Sequence, residues 1–136
     1  MPNEPHAIIS AKRVEGTAVK TPQGDDLGRI EDLTIDKLSG HVVYAVLSFG
    51  GVLGLGAKHF ALPWEALHYE PRHAAYVVEI DPELLRRAPG FDASNPPDMS
   101  DRRWGQQIHD YYGYRPYWEM TDRDEPVERG GRASLP

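Results

Sequence analysis

No cysteine occurs among the 136 residues, which excludes disulfides, thiolate zinc sites and cysteine nucleophiles and matches the usage of a reducing compartment. A long hydrophobic run is also missing. The longest stretch without a charged residue or a histidine, Val42 to Ala57, is 16 residues and contains Gly50, Gly51, Gly54 and Gly56. A spanning helix needs about 20 mostly apolar residues, so this stretch predicts a buried strand and its turn, and no membrane span. The start, MPNEPHAIISAKR, has two prolines and no apolar core of signal-peptide length, so a cytoplasmic location is expected. Basic excess is absent as well: the net charge is −6, with 9 basic and 12 acidic side chains over residues 1–90 and 6 and 9 over residues 91–136. Binding to nucleic acid rests on clustered lysine and arginine, and this chain is not expected to bind it.

What is present describes an ordinary folded chain, 40% hydrophobic and 26% charged. A chain of this size buries roughly 68–70% of its unfolded surface, enough for one domain without a staple. Strands are expected at Val14 to Lys20, at Gly28 to Asp36 and at His41 to Phe49, then at Lys58 to Leu62, Leu67 to Glu70 and Ala75 to Ile80. Thr21 to Asp26, Lys37 to Gly40, Pro63-Trp64-Glu65 and Pro71-Arg72-His73 supply turns. In the second strand Leu33 and Ile35 share one parity and Ile30 the other, which predicts a bulge near Glu31-Asp32. His41 to Phe49 is apolar on both parities, the mark of a central strand or a closed sheet. Six short strands without a long helix between them predict a mainly β fold, a small antiparallel β-barrel with a short helix and a C-terminal helical, aromatic extension.

Asp81-Pro82-Glu83 starts the short helix, since Asp81 can cap free N–H groups and Pro82 loses no bond at the first helical position. Pro89-Gly90 ends it. A second helix is expected from Ser100, its cap, to Gly113, with Trp104, Ile108, Tyr111 and Tyr112 on one face. Gly105 weakens that helix by about 1 kcal/mol relative to alanine, so docking must support it. The expected organisation is a flexible start over 1–12, a barrel over 13–90, a linker and aromatic arm over 91–120, and a disordered tail over 121–136.

The glycines of FGGVLGLGAKHFALPW could cradle a phosphate or turn a chain. Gly51 and Gly56 have P-loop separation, but Ala57 stands where the lysine belongs, and His59 follows Lys58 in place of a hydroxyl. Gly54-Leu55-Gly56 lacks a third glycine at position 59, and a strand-like segment follows in place of a helix. A connection between two strands is the expectation.

GDDLGRIEDLTID, SGHVVYAVLSFGGVLGLGAKHFALPWEAL and HYEPRHAAYVVEIDPELLRRAP together resemble the PRC-barrel family, named for the cytoplasmic domain of the photosynthetic reaction-centre H subunit. Gly28, Glu31-Asp32, Gly50-Gly51 and Pro63-Trp64 carry the resemblance, in the family's order and spacing, over roughly residues 13–90. DRRWGQQIHDYYGYRPYW looks like the C-terminal extension of small stand-alone bacterial members. The resemblance implies a compact barrel serving protein assembly, with no catalytic residue and no cofactor to carry over. In the reaction centre such a domain influences electron and proton transfer to quinone, and in a ribosome-maturation factor it helps bind a ribosomal protein. This chain shows neither the membrane helix of the one nor the additional N-terminal domain of the other.

Beside the resemblance, the residues offer few constellations. His6, His41, His59, His68, His73 and His109 show no i, i+4 pairing, so surface or turn roles are expected, with a weak metal site assembled in space or between subunits as the alternative. Asp25, Asp26, Glu31, Asp32 and Asp36 suit turn chemistry; Asp32 is the one carboxylate singled out. Ser48 lacks the first glycine of a nucleophile elbow, which here is Val46. Trp104, Tyr111, Tyr112, Tyr114, Tyr117 and Trp118 supply six of the 13 aromatic residues within 15 positions. Such side chains are enriched at binding hot spots. They could cover the chain's own barrel, form a homodimer contact or meet another protein. The leading expectation is a non-enzymatic module acting through protein contacts, self-associating through this arm. The alternative is a pocket near Asp32, His59 and Trp64 that takes a quinone-like, tetrapyrrole or metal ligand.

Overall fold

The computed structural model describes residues 8–49 and 58–119. Its elements are α1 (Ala11–Val14), β1 (Ala18–Lys20), β2 (Asp26–Ile35), β3 (Val42–Phe49), β4 (Lys58–Pro63), β5 (Leu67–Glu70), β6 (Ala75–Val78), α2 (Pro82–Arg86) and α3 (Arg102–Tyr112). The strands make one curled six-stranded sheet, a half-barrel, in the order β4-β3-β2-β1-β6-β5. The expected glycine connection over 50–57, the first seven residues and the tail from 120 lie outside the described residues.

Sequence and structure differ at the ends of elements. The first strand shortens to Ala18–Lys20 because the Ser10 side chain accepts a bond from the Arg13 N–H and caps a single helical turn, Ala11–Val14, before it. The last strand stops at Val78, two residues early. The cap of α3 is Asp101, which accepts from the Arg103 N–H at 2.9 Å, whereas Ser100 donates its own N–H to Asp98. Phe91, at the head of the expected linker, exchanges two backbone bonds of 2.9 Å with His59 and lies along β4. The bulge is where parity put it: Ile30 faces Leu47 and Asp32 faces Val46, leaving Glu31 as the extra residue.

The pairing is antiparallel at four ladders and parallel between β1 and β6. The reason lies at Trp64–Ala66, a 3-10 turn where the sequence suggested an ordinary turn. It leads from β4, at one end of the strand order, to β5 at the other. The chain then makes a reversal at each of four neighbouring pairs, β1/β2, β2/β3, β3/β4 and β5/β6, and none at the corner. An even number of reversals returns β6 parallel to β1.

Val19, Leu27, Ile30, Ala45, Leu47, Phe60 and Leu62 fill the inner face, and Leu85 of α2 joins the same core. Asp81 caps α2 by accepting from the Glu83 N–H, with Pro82 at its start. The outer face of β3 and β4 holds a second cluster: Val43, Tyr44 and Ala61 with Ile108 of α3. The apolar residues of β3 are thus buried on both sides, on one by the half-barrel and on the other by the C-terminal helix.

Candidate functional site

The outer face of β3 and β4 is where the unusual side chains meet. Directly opposed strand residues point the same way, so the registers Thr34↔Tyr44↔Pro63 and Asp32↔Val46↔Ala61 place these six side chains on one face. The amphipathic α3 lies across it. Asp101 caps its start, and Gly113, at φ 82°, ends it in the left-handed conformation that glycine adopts freely. Gly105 permits the close approach: a methyl group there would sit 2.8 Å from the Tyr44 hydroxyl and 2.8 Å from the Trp118 ring.

Tyr44 is the centre of this face, 1% exposed. Trp104 meets it edge-on at 5.2 Å, Tyr117 edge-on at 6.1 Å, and His109 at 5.5 Å. Trp118 stands edge-on to His109 at 6.0 Å, and the Arg102 guanidinium lies 5.2 Å from the Trp118 ring centre. Tyr111 packs edge-on against Tyr112 and donates its hydroxyl to the Leu84 carbonyl at 2.5 Å, tying α3 to α2. Tyr114 packs against the inner core. All six aromatic residues of the extension are therefore partly buried within their own chain, five against the two clusters and Trp118 against α3.

Polar atoms in this region go unpaired. The Tyr44 and Tyr112 hydroxyls, Thr34 Oγ1 and both ring nitrogens of His109 are buried without a well-formed hydrogen bond. Burial drives both phenols far above the ordinary tyrosine range, and the neighbouring phenols Tyr117 and Tyr111 add to it. His109, 2% exposed, is pushed below its ordinary 6.5 by burial; a backbone contact at Tyr114 and the carboxylates of Asp110 and Glu119 act more weakly the other way.

The three residues expected to share a pocket have separate surroundings. Asp32 is exposed and its carboxylate accepts from the Leu33 N–H at 2.8 Å. His59 lies on the outer face, its ring 5.9 Å from that of Phe91. Trp64 turns to the inner core and packs on Tyr76 at 5.5 Å. Asp26 accepts a bond from the Gly28 N–H within β2, and Asp36 accepts one from the Leu38 N–H in the turn that follows. Among the described residues no group of three histidine or acidic side chains is placed to hold a metal ion. An open cleft of about 430 Å³ lies instead between the first turn and the start of α2, lined by Thr21, Gln23, Glu79 and Asp81 among others.

At the far end of the sheet, β5 pairs with β6 alone in the strand order. Its Tyr69 is 47% exposed and rests edge-on at 5.1 Å on Tyr76, which rests in turn on Trp64. Sequence reasoning missed Tyr69, Tyr44 and His109. Tyr69 carried no signal beyond its type. Tyr44 was hidden in an apolar run, but Gly105, His109 and Tyr112 fall at i, i+4 and i+7, a helical stripe that could have been read.

Comparison with family models matches the PRC-barrel domain over residues 7–85. A search of curated proteins finds no match. The matched segment ends within α2, so α3 and its aromatic residues lie beyond it. No helix among the described residues is long and apolar enough to cross a membrane.

Proposed function

The chain belongs to the PRC-barrel family, and from that premise we propose that it is a non-enzymatic assembly module that works through protein contacts, first of all with a second copy of itself. The observation that carries this reading is Tyr69 on β5. A strand at the end of a sheet offers unpaired backbone N–H and C=O groups to an incoming chain. A half-exposed tyrosine beside them, held in place by Tyr76 and Trp64, brings a large contact area with little side-chain freedom left to lose. The six aromatic residues of the extension fit this role less well, because their rings are already engaged with Tyr44, His109 and one another.

Sedimentation velocity across a concentration series, with wild type and Tyr69→Ser, tests the reading. The expected result is a concentration-dependent dimer that Tyr69→Ser shifts toward monomer while leaving the unfolding free energy within about 1 kcal/mol of wild type. Monomeric behaviour at every concentration, together with capture of the same lysate proteins by both variants, overturns it.

A further inference from the structure

The outer face of β3 and β4 is covered by α3 together with Tyr117, and among the groups of α3 against that face is a histidine buried without a well-formed hydrogen bond. His109 is 2% exposed, and both its ring nitrogens are unpaired. A neutral imidazole tolerates such a place at moderate cost; an imidazolium does not, because a buried charge needs a partner that accepts its protons. We propose that protonation of His109 releases α3 from the outer face of β3 and β4, making the C-terminal helix an acid-sensitive latch on the barrel.

The groups around His109 decide whether a charge there could be held in place. From β3 it faces Tyr44, a phenol that burial keeps neutral and whose ring, not an anion, is presented at 5.5 Å. From the turn Tyr117–Glu119 it meets Tyr117 at 6.4 Å and Trp118 at 6.0 Å, and the carboxylate of Glu119. On its own helix the neighbour is Asp110, and beyond the cap the Tyr114 backbone, which favours the charged ring more than either carboxylate does and less than burial opposes it. Arg102 stacks on Trp118, the ring that stands edge-on to His109, and a guanidinium offers an imidazolium no acceptor. Asp110 and Glu119 are exposed, Asp110 already accepts a bond from Gln106, and their pull on the imidazole is weaker than the burial effect.

The sign follows from linkage. Released His109 titrates near its ordinary 6.5, whereas docked His109 titrates lower. Above 6.5 both states are neutral and docking is at full strength. As pH falls through that value the released state takes up the proton first, and docking weakens with each further unit until the docked value is reached. An ordinary imidazole in the released state sets a ceiling of roughly thirtyfold on the change in the opening constant between pH 8 and pH 5.

Hydrogen exchange of the α3 amides in the full chain, corrected for the intrinsic pH dependence of exchange, reads that constant directly. In wild type, opening of Arg102–Tyr112 should rise severalfold from pH 8 to pH 5, within that ceiling, while β2 and β3 stay protected. His109→Phe keeps an aromatic ring in the cage, removes the titration and should make α3 protection flat with pH. Unchanged α3 protection in wild type, or the same acid response in His109→Phe, overturns the proposal. Should His109→Phe fail to dock, imidazole NMR of wild type decides. A His109 midpoint well below the ordinary imidazole value supports the latch, and an ordinary midpoint with α3 still protected sinks it.

Discussion

Gly105 shows how one residue is read differently alone and in place. By propensity it costs the helix about 1 kcal/mol against alanine, and an engineer working from the helix alone would replace it. In the structure its missing side chain is what lets α3 settle on the Tyr44 hydroxyl, and a methyl group would press 2.8 Å from that oxygen and from the Trp118 ring. Both neighbours are large aromatic side chains hemmed in by others, so the strain has no cheap outlet. Overpacking costs about 1–3 kcal/mol, more than the propensity gained. Gly105→Ala is therefore expected to destabilise by about 1 kcal/mol and lower the melting temperature by several degrees. Gln107→Ala, exposed on the same helix, should be neutral or slightly stabilising. Equal melting shifts for the two substitutions in a thermal scan would show that α3 does not sit this close to Tyr44.

The elements were largely legible because their signals are local. Asp81-Pro82 starts α2 as its cap chemistry predicts, Gly113 ends α3, and the parity break in β2 marks a true bulge. What failed was decided by competition between neighbours: Ser10 capturing Arg13 turned the expected start of a strand into α1, and Asp98 engaging Ser100 left Asp101 to cap α3. How one element is joined to another was not legible at all, since Tyr111 and Leu84 are 27 positions apart and nothing local announces their 2.5 Å bond. That bond is a polar tie between α2 and α3. Removing it with Tyr111→Phe keeps the ring against Tyr112 and should cost about 1 kcal/mol. The loss should appear as faster hydrogen exchange in the last turn of α3, with the sheet unaffected; uniform loss across the sheet would mean that α3 and the barrel unfold as one unit.

At the scale of the whole molecule, the family and its mainly β, barrel-like fold could be recognised from residues 13–90, but the parallel pairing of β1 with β6 and the packing of the extension on β3 could not. Both depend on long-range geometry: a corner at Trp64–Ala66 that does not reverse the chain, and an outer face on β3 that only the folded sheet assembles. The apolar character of β3 on both parities was visible, yet a closed sheet and a covering helix explain it equally well until one sees α3 in place. This changes what truncation at Met99 would mean. Such a chain loses Ile108 and bares Val43, Tyr44 and Ala61, all under 10% exposed in the intact fold. At about 1.5–3 kcal/mol for each large side chain returned to water, the loss is on the order of 5 kcal/mol, a large share of the stability of a domain this size. Urea unfolding of the truncated chain should therefore show a much lower midpoint and a reduced m-value, since less surface remains to be exposed. It should also aggregate through the bared strip, so proteins captured by it would report stickiness and not a partner. A truncated chain that unfolds at the wild-type midpoint would instead make the extension a detachable arm, and would return Trp104, Tyr117 and Trp118 to consideration as the surface that reaches outward.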